Sequence, residues 1–350
     1  MIRFLIFTGL TFLLLFQVSS AQEYREVTKD NALKFPGDYY YQPDYRVQWW
    51  YFTGHLFDRE GREFGYELTF FVLGVQKRDF KSRFGVKDIY VSHFAVTDPA
   101  QKKYIFSERS DSGAYGFAGA EKDRLRVWVG GNEMQGTSKK IHLNASGEGL
   151  SLDLVLSALK PEVLHGEKGY SRKSGKSPLI ASQYFSVTDL ATEGRLKIGE
   201  RVVAVNGKSW FDREISSGRT GQGLKGWDWF GMQLDDGREI MLYHLRNADG
   251  TADPYSSGTL VLRDGSSRHL TIDDFSITVL RHYTSAKTGA RYPSAWTIRI
   301  PDEKLSLIVI PLLADQEFIA TYSTGNYYWE GSCSIRGSAT GKAYAEMTGY

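Results

Sequence analysis

The sequence predicts an all-β protein made of two similar antiparallel modules, and three observations support this prediction. Apolar and polar residues alternate with a period of two in many short segments, such as F-G-Y-E-L-T-F-F (64–71) and L-S-L-D-L-V-L (150–156). Turn sequences rich in Gly, Asp and Asn separate these segments. One hairpin-like segment also recurs about half a chain length later. Closed barrels or sandwiches are the architectures that such strands form.

The recurring segment indicates a duplicated β-module. Residues 49–68 and 227–245 both contain an aromatic cluster, a short strand, an acidic turn with Gly-Arg-Glu and a second alternating strand. Chance similarity of two hairpins is the alternative interpretation. The turn-rich stretch 194–207 lies between the copies, so we place the boundary there and expect one domain over 22–200 and another over 201–350.

Residues 1–21 have the layout of a secretory signal peptide. Arg3 precedes an apolar run over 4–16, and the small residues Ser19 and Ala21 fit a cut after Ala21. The run is shorter than the roughly 20 apolar residues that a membrane span requires. We therefore expect an exported protein, periplasmic or extracellular, with no transmembrane segment in the mature chain. An uncleaved anchor is the alternative.

Composition narrows the functional classes. A formal net charge of +2 gives no strong field for nucleic-acid binding. Cys333 is the single cysteine, so no internal disulfide is available, and its strand-like surroundings indicate buried packing. The 20 Phe, 21 Tyr and 8 Trp suit half-buried strands and pockets for apolar ligands.

The sequence contains two long loops and lacks several catalytic motifs. Loops of the length of 166–178 and 216–226 are usually functional or mobile. There is no H-E-x-x-H or cysteine pair for a metal, no G-x-S-x-G and no phosphate-binding G-K-[ST]. We therefore expect no metal site, no cofactor and neither a serine nor a metal hydrolase.

Motifs spread over almost the whole chain resemble those of one family. Each is weak alone, but their order and combined span resemble the exported, lipocalin-like AttH proteins and carotenoid 1,2-hydratases (hydroxyneurosporene synthases), often described as secreted hydrolases. The motifs are Q-W-W-Y-F-T-G-H-L (48–56), G-Y-E-L-T-F-F (65–71), S-H-F-A-V-T-D (92–98), A-S-Q-Y-F-S-V-T (181–188), W-F-D-R-E (210–214), G-W-D-W-F (226–230), D-D-G-R-E-I-M-L-Y-H-L-R (235–246) and Y-W-E-G (328–331).

The resemblance implies two tandem lipocalin-like antiparallel β-barrels packed together, with a hydrophobic pocket inside or between them. Similar proteins hydrate, cyclise or otherwise act on polyene and isoprenoid-like substrates. Exported members are often encoded beside an ABC-type permease, which makes such a permease an expected partner.

The chain departs from the family pattern at Arg213. Members often carry His between the Asp and Glu of the motif that reads W-F-D-R-E here. Because a guanidinium stays protonated near neutral pH, Arg213 cannot shuttle protons. Carotenoid hydration is therefore in doubt for this chain.

Three carboxyl groups are the candidate catalytic acids. Alkene hydration needs a proton donor beside an apolar double bond, and burial keeps a carboxyl group protonated near neutral pH. Asp212 and Glu214 share one face of a predicted strand and can share a proton; a solvated or salt-bridged pair is the alternative. Asp228 lies between Trp227 and Trp229 in sequence, but alternation along a strand turns its side chain to the face opposite the two indoles. The alternative to a catalytic role is a structural one, in which its carboxylate binds backbone donors.

The candidate ligand-binding residues are mainly aromatic and histidine side chains of the strand-like motifs. The alternative for the histidines is a structural role as hydrogen-bonded core residues. The alternative for the glutamate is a structural ion pair. The residues are Trp50, Tyr51, His55, His93, Tyr184, Trp227, Trp229, Tyr243, His244, Trp329 and Glu330.

The sequence leaves two main functions open, with a purely structural envelope protein as a third alternative. The first is an exported protein that holds an apolar lipid, isoprenoid or polyene-like molecule in an aromatic-lined barrel pocket and serves an envelope transporter. The alternative is a hydratase- or cyclase-type enzyme that protonates an isoprenoid-like alkene with a carboxylic acid.

Overall fold

The computed structural model describes residues 23–77, 82, 85–218 and 223–350, which form two antiparallel sheets. The predicted leader and part of the loop over 216–226 lie outside these residues. The 13-stranded first sheet consists of β1 (Val47–Asp58), β2 (Glu63–Gly74), β3 (Asp88–Asp98), β4 (Lys103–Asp111), β5 (Ala118–Ala120), β6 (Leu125–Val129), β7 (Asn132–Gly136), β8 (Lys140–Gly147), β9 (Leu150–Ala158), β10 (Val163–Leu164), β11 (Tyr170–Arg172), β12 (Ala181–Ile198) and β13 (Arg201–Ser216).

The second sheet has ten strands and follows in sequence. It consists of β14 (Leu224–Leu234), β15 (Glu239–Asn247), β16 (Ser257–Val261), β17 (Ser267–Thr271), β18 (Ser276–Thr284), β19 (Arg291–Ile300), β20 (Leu305–Pro311), β21 (Glu317–Ala320), β22 (Asn326–Gly337) and β23 (Gly341–Met347). Short 3-10 helices occur at Gly37–Tyr39, Ala114–Gly116, Ile272–Asp274 and Pro301–Glu303. No helix in the described part of the chain is long and apolar enough to span a bilayer.

The predicted all-β, two-module architecture is confirmed. The first sheet, in the order β4-β3-β2-β1-β13-β12-β9-β8-β7-β6-β5, curls into a nearly closed barrel. The second, in the order β17-β16-β15-β14-β23-β22-β20-β19-β18, forms a half-barrel. The second module is therefore more open than the closed barrel expected.

The change of sheet lies further along the chain than the expected boundary at 200–201. That boundary falls in the turn of the β12–β13 hairpin, whose register runs from Ser182 opposite Ser216 to Ile198 opposite Arg201. The turn-rich sequence belongs to a hairpin within the first barrel. The second sheet begins with β14 at Leu224.

The two sheets repeat one strand order. The path β4-β3-β2-β1-β13-β12 corresponds to β17-β16-β15-β14-β23-β22, which agrees with the repeat seen in the sequence. Phe52 of β1 lies opposite Phe211, and Phe230 of β14 lies opposite Ala345. All four are buried in the core of their own sheet. Asp212 of β13 directly follows Phe211, and Glu346 of β23 directly follows Ala345. The two carboxyl residues therefore occupy equivalent positions.

The two barrels pack through their outer faces, so that several strands are buried on both sides. In β1, Trp50 and Phe52 belong to the interior core of the first barrel, whereas Tyr51 belongs to an aromatic cluster shared by both sheets. In β14, Phe230 points into the second core and Trp229 into the shared cluster. We call the contact between the outer faces the inter-barrel interface.

Arg213 fixes the direction of the side chains around it. Its guanidinium is fully buried, stacks 3.9 Å from the centroid of Trp50, and donates to Tyr40 O at 2.8 Å and Gln48 Oε1 at 2.8 Å. It also donates to Glu214 O at 3.0 Å. Because neighbours on a strand point to opposite faces, Asp212 and Glu214 lie on the inter-barrel face.

We predict that Arg213→Met destabilises the fold strongly, because the acceptors of the guanidinium would remain buried without donors. The free energy of unfolding should fall by roughly 3 kcal/mol or more in denaturant titrations. Arg213→Lys should recover only part of this, since an ammonium cannot reproduce the guanidinium fork. The control is Arg336→Met at an exposed position of β22. Equal small losses for Arg213→Met and Arg336→Met would show that this network is not important for stability.

Candidate active site

The inter-barrel interface contains a layer of aromatic side chains. Trp229 packs edge-on against Tyr51 at 5.4 Å and against Trp210 at 6.1 Å between ring centroids. The buried members of this layer from the first sheet are Tyr51, Tyr184 and Trp210, and those from the second are Trp229, Met241, Tyr243, Leu245 and Tyr344. The polar groups at the interface therefore lie in apolar, largely dry surroundings.

Asp212 is the carboxyl group held most fully within this layer. Tyr184 donates its hydroxyl to Oδ2 at 2.8 Å, Trp210 donates its indole N–H to Oδ1 at 2.6 Å, and Ser186 donates its hydroxyl to Oδ1. Burial raises the pKa of Asp212 to about 7, and Glu214 adds to the rise, whereas the three donors oppose it. Asp212 can therefore gain and lose a proton near neutral pH.

Glu214 lies two residues further along the same face and pairs with Lys173. The Lys173 ammonium is 3.1 Å from Glu214 Oε1, and Ser182 donates to the same oxygen. Burial lowers the pKa of Lys173, but Glu214 and Tyr243 outweigh it, so that the pKa lies above its ordinary value. The ammonium also lies over the rings of Tyr184 and Tyr243, at 4.7 and 4.3 Å from their centroids.

Hydrogen bonds across the interface position the residues around Asp212. Trp229 of β14 donates its indole N–H to the Tyr184 hydroxyl at 3.0 Å, and Tyr184 in turn donates to Asp212. His165 lies 2.6 Å from Ser186 Oγ and 2.8 Å from Thr259 Oγ1 of the second barrel. Both sheets therefore contribute to the environment of Asp212.

A second carboxyl cluster lies at the repeat-related position. Glu346 lies opposite Glu330 in the β22–β23 register, as Asp212 lies opposite Ser186 in the first sheet. Burial raises the pKa of Glu346 to about 7, with further increases from Glu214 and Asp212, while the Trp227 indole opposes the rise.

Glu67 and Glu330 are the more deeply buried members of this second cluster. Burial raises the pKa of both well above the ordinary value. The charge of Glu346 raises the pKa of both further, and the charge of Glu67 also raises that of Glu330. Within the described residues, Glu67 Oε2, Glu330 Oε1 and the hydroxyls of Tyr104 and Tyr344 have no hydrogen-bond partner. We therefore expect these glutamates to be protonated near neutral pH.

Several interface side chains near Asp212 are partly exposed to solvent, whereas Asp212 itself is buried. Trp227 is 43% exposed, the Lys173 side chain is 21% exposed, and Trp49, Leu224 and Glu346 are partly exposed. We call these five residues the mouth of the site. A separate small cavity of about 10 Å³ lies at the interface between His55, Trp210 and Tyr344. Across the described residues, no group of three or more His, Cys, Asp or Glu side chains is arranged to hold a metal ion.

The structure brings together most of the residues that the sequence proposed for the site. Trp227 lies at the mouth, and His93 binds Tyr328 and Ser323 of the second barrel at 2.7 and 2.8 Å. Burial lowers the pKa of His93 to about 3, so that its ring is neutral. The other predicted residues at the interface are Tyr51, Tyr184, Asp212, Glu214, Trp229, Tyr243 and Glu330.

Other predicted site residues lie elsewhere. Trp50 and Trp329 point into the interior cores of the two barrels. Asp228 is 3.1 Å from the guanidinium of Arg246, accepts from Tyr350 at 2.8 Å, and lies 3.9 Å from His244. This group is on the opposite face of β14 and β15 from Trp229, as alternation requires.

His55 occupies the edge of the interface rather than the centre of the site. Its ring nitrogens lie 2.8 Å from Glu63 Oε1 and 2.9 Å from Ala343 O. Glu63 also binds Lys342 of the second barrel at 2.6 Å. The repeat-related Glu239 binds Lys160 of the first barrel at 2.8 Å. These two ion pairs join the barrels at related positions.

Sequence reasoning missed five interface residues. Lys173 lies in the loop over 166–178. The length of this loop indicates a functional or mobile segment but does not identify a particular residue. The repeat of 49–68 at 227–245 does not indicate Glu346, because its equivalence to Asp212 appears only in the strand order of the two sheets. The missed residues are Glu67, Lys173, Ser186, Trp210 and Glu346.

The comparisons with known proteins agree with this architecture. A family model described as AttH-like matches residues 26–350. The chain belongs to the AttH-like family. The crystal structure of an AttH protein from Nitrosomonas europaea is 30% identical in sequence, has a TM-score of 0.85, and covers 93% of this chain and 99% of that chain. The predicted family resemblance is confirmed.

Two further proteins similar to this AttH-like chain carry the names hydratase and dehydratase. The structure of kievitone hydratase from Nectria haematococca has a TM-score of 0.69 and 15% identity, covering 94% of this chain and 97% of that chain, and shows a shared fold. Dehydratase asqC from Emericella nidulans is 24% identical over 230 residues. That match spans 62% of each of the two chains.

The raised pKa of Asp212 predicts a change in the pH dependence of stability. The folded state holds the Asp212 proton up to about pH 7, whereas an unfolded aspartate releases it near 3.8. Stability contributed by this proton is therefore present at low pH and is lost as the pH rises through about 7. Between about pH 3.8 and pH 7, the Asp212 proton should make the unfolding free energy of wild type fall by up to roughly 4 kcal/mol. Asp212→Asn should not show this fall.

Denaturant titrations at a series of pH values measure this effect as the difference in slope between wild type and variant. Asp123→Asn is the control, because Asp123 is exposed and should leave the slope unchanged. A slope for Asp212→Asn that runs parallel to wild type would contradict the assignment of a proton to Asp212.

Proposed function

We propose that this AttH-like protein is a hydratase or dehydratase, which adds water to, or removes water from, a carbon–carbon double bond of an apolar small molecule. The observation that carries the proposal is Asp212, a buried carboxyl group with a pKa of about 7 among aromatic side chains of two barrels. The relatives named as a hydratase and a dehydratase support the same class of reaction. Export, as suggested by the N-terminal leader, stays part of the proposal.

The geometry favours an enzyme at the interface over a binder with a pocket inside a barrel. Trp50, Phe52 and Phe211 are among the side chains that fill the first interior, and Trp296 and Trp329 contact each other in the second. A ligand pocket in either interior would displace this packing, at the cost of the buried apolar contacts. The partly exposed residues of the mouth belong to neither interior core, so a substrate that binds among them would leave both cores intact.

In the proposed reaction Asp212 transfers the proton. For hydration, its protonated form gives a proton to one alkene carbon while water adds to the other; dehydration follows the reverse path. Tyr184, Trp210 and Ser186 hold the carboxyl group in place. Glu346, the second carboxyl group with a pKa of about 7, lies at the mouth and is suited to holding the water.

The proposal predicts gain or loss of one water by simple apolar compounds. We would incubate the full chain with benzalacetone and with prenylbenzene, and separately with their hydrated alcohols, and follow the products by mass spectrometry. At least one alkene–alcohol pair should interconvert, with heavy oxygen entering the alcohol from labelled water. Asp212→Asn should slow the reaction by a factor of about 100 or more, as expected for loss of a general acid.

Asp123→Asn is again the matched control and should keep the wild-type rate. Compounds that bind but are returned unchanged would favour the binding function. Full activity of Asp212→Asn would remove Asp212 from the proposed chemistry.

A further inference from the structure

The inference concerns Lys173 and rests on the proposed function. We infer that Lys173 selects substrates with a carbonyl oxygen next to the reacting carbons, namely β-hydroxycarbonyl compounds and the enones formed from them. Lys173 would bind that oxygen and stabilise the negative charge that develops on it. The inference therefore narrows the substrate class from alkenes in general to alkenes conjugated with a carbonyl group.

The surroundings of Lys173 leave it able to bind a substrate oxygen. An ammonium has three N–H donors. Among the described residues, the acceptor in contact with Lys173 is Glu214, at 3.1 Å. Its other close neighbours are the ring faces of Tyr184 and Tyr243, which attract the charge without accepting conventional hydrogen bonds. The partial exposure of the side chain at the mouth gives an incoming oxygen access to it.

Lys173 and Asp212 converge on one side chain. Lys173 lies over the ring of Tyr184, and the hydroxyl of the same residue donates to Asp212. Asp212 also contributes to the raised pKa of Lys173 through its charge. The ammonium and the proton-transferring carboxyl group are therefore joined through one tyrosine at the inter-barrel interface.

A fixed positive charge distinguishes two possible reaction paths. Protonation of an isolated alkene creates a carbocation, which an adjacent ammonium would repel. Removal of a proton beside a carbonyl group instead creates an enolate, whose oxygen an ammonium stabilises. Glu214 compensates part of the Lys173 charge, but the N–H donors act at short range and in defined directions. The site therefore suits an anionic intermediate better than a cationic one.

The dehydration step balances with the residues present. Asp212, ionised, takes the proton from the carbon between the carbonyl group and the carbinol, and the electron pair forms the enolate held by Lys173. The enolate then reforms the carbonyl group and the carbon–carbon double bond as the carbon–oxygen bond of the alcohol breaks. The proton on Asp212 passes to the departing hydroxide, giving water and regenerating the carboxylate. Hydration of the enone is the reverse.

A phenolate probe tests the role of Lys173 separately from turnover. Para-nitrophenolate carries an oxyanion on an apolar ring, and its absorbance reports both its binding and its protonation. Wild type should bind it about tenfold or more tightly than Lys173→Met, as expected for loss of a charge-assisted hydrogen bond. Lys173→Arg should retain part of the affinity, and uncharged nitrobenzene should bind wild type and Lys173→Met equally.

Lys176→Met is the matched control, because Lys176 is an exposed lysine of the same loop. Near-ultraviolet circular dichroism of each variant would verify that the aromatic interface is retained. Equal affinity of wild type and Lys173→Met for para-nitrophenolate would overturn the inference.

Turnover separates this inference from the proposed function. Wild type should convert benzalacetone and its β-hydroxyketone, and Lys173→Met should lower kcat for this pair about tenfold or more. Conversion of prenylbenzene by wild type and Lys173→Met at the same rate would overturn the substrate class while leaving the hydratase function intact. Unimpaired conversion of benzalacetone by Asp212→Asn would instead contradict the proposed acid, with the phenolate result still deciding the role of Lys173.

Discussion

Alternation along β13 is the constraint on which the site depends. Arg213 is fully buried in the first barrel, stacked on Trp50 and bonded to neighbouring carbonyl groups. With that side chain fixed inward, Asp212 and Glu214 must face the second barrel. The residue that departs from the family pattern is therefore not positioned to take part in proton transfer with Asp212. It anchors the strand that carries Asp212, and the proposed chemistry at the interface does not require His at 213.

The interface concentrates acidic groups in surroundings that disfavour charge. Asp212 and Glu346 occupy repeat-related positions, and burial raises the pKa of each to about 7. Lys173 supplies a positive charge beside Glu214. Because several like charges cannot all persist in a dry interface, some of the carboxyl groups retain protons near neutral pH. Equivalent strands of the two sheets thus place one carboxyl group each at the same contact surface.

Most of the fold could be predicted from the sequence, whereas the exact site could not. Period-two alternation and turn chemistry identified the strands, and the repeat of residues 49–68 at 227–245 identified the two modules. The choice of face is ambiguous, because β1 and β22 are buried on both sides for much of their length. Trp50 and Trp329 were therefore grouped with the ligand contacts although they lie in the barrel interiors.

Contacts across the interface were also beyond sequence reasoning. Lys173 reaches Glu214 because the segment after β11 folds back over β12 and β13, a tertiary arrangement that no local pattern encodes. The separation of Asp228 from Trp229 followed directly from alternation, but its partner Arg246 depends on the register between β14 and β15. The alternation along a strand depends on residues that are close in sequence. The contacts between strands and between sheets depend on the assembled fold.

The central claim is that Asp212 holds an exchangeable proton at the inter-barrel interface. Infrared difference spectra of wild type against Asp212→Asn, recorded across a pH series, test this claim most directly. A protonated-carboxyl band that belongs to Asp212 should be present at mildly acidic pH and should disappear with a midpoint near 7. A carboxylate signal from Asp212 that persists unchanged down to the range of an ordinary exposed aspartate would contradict the account.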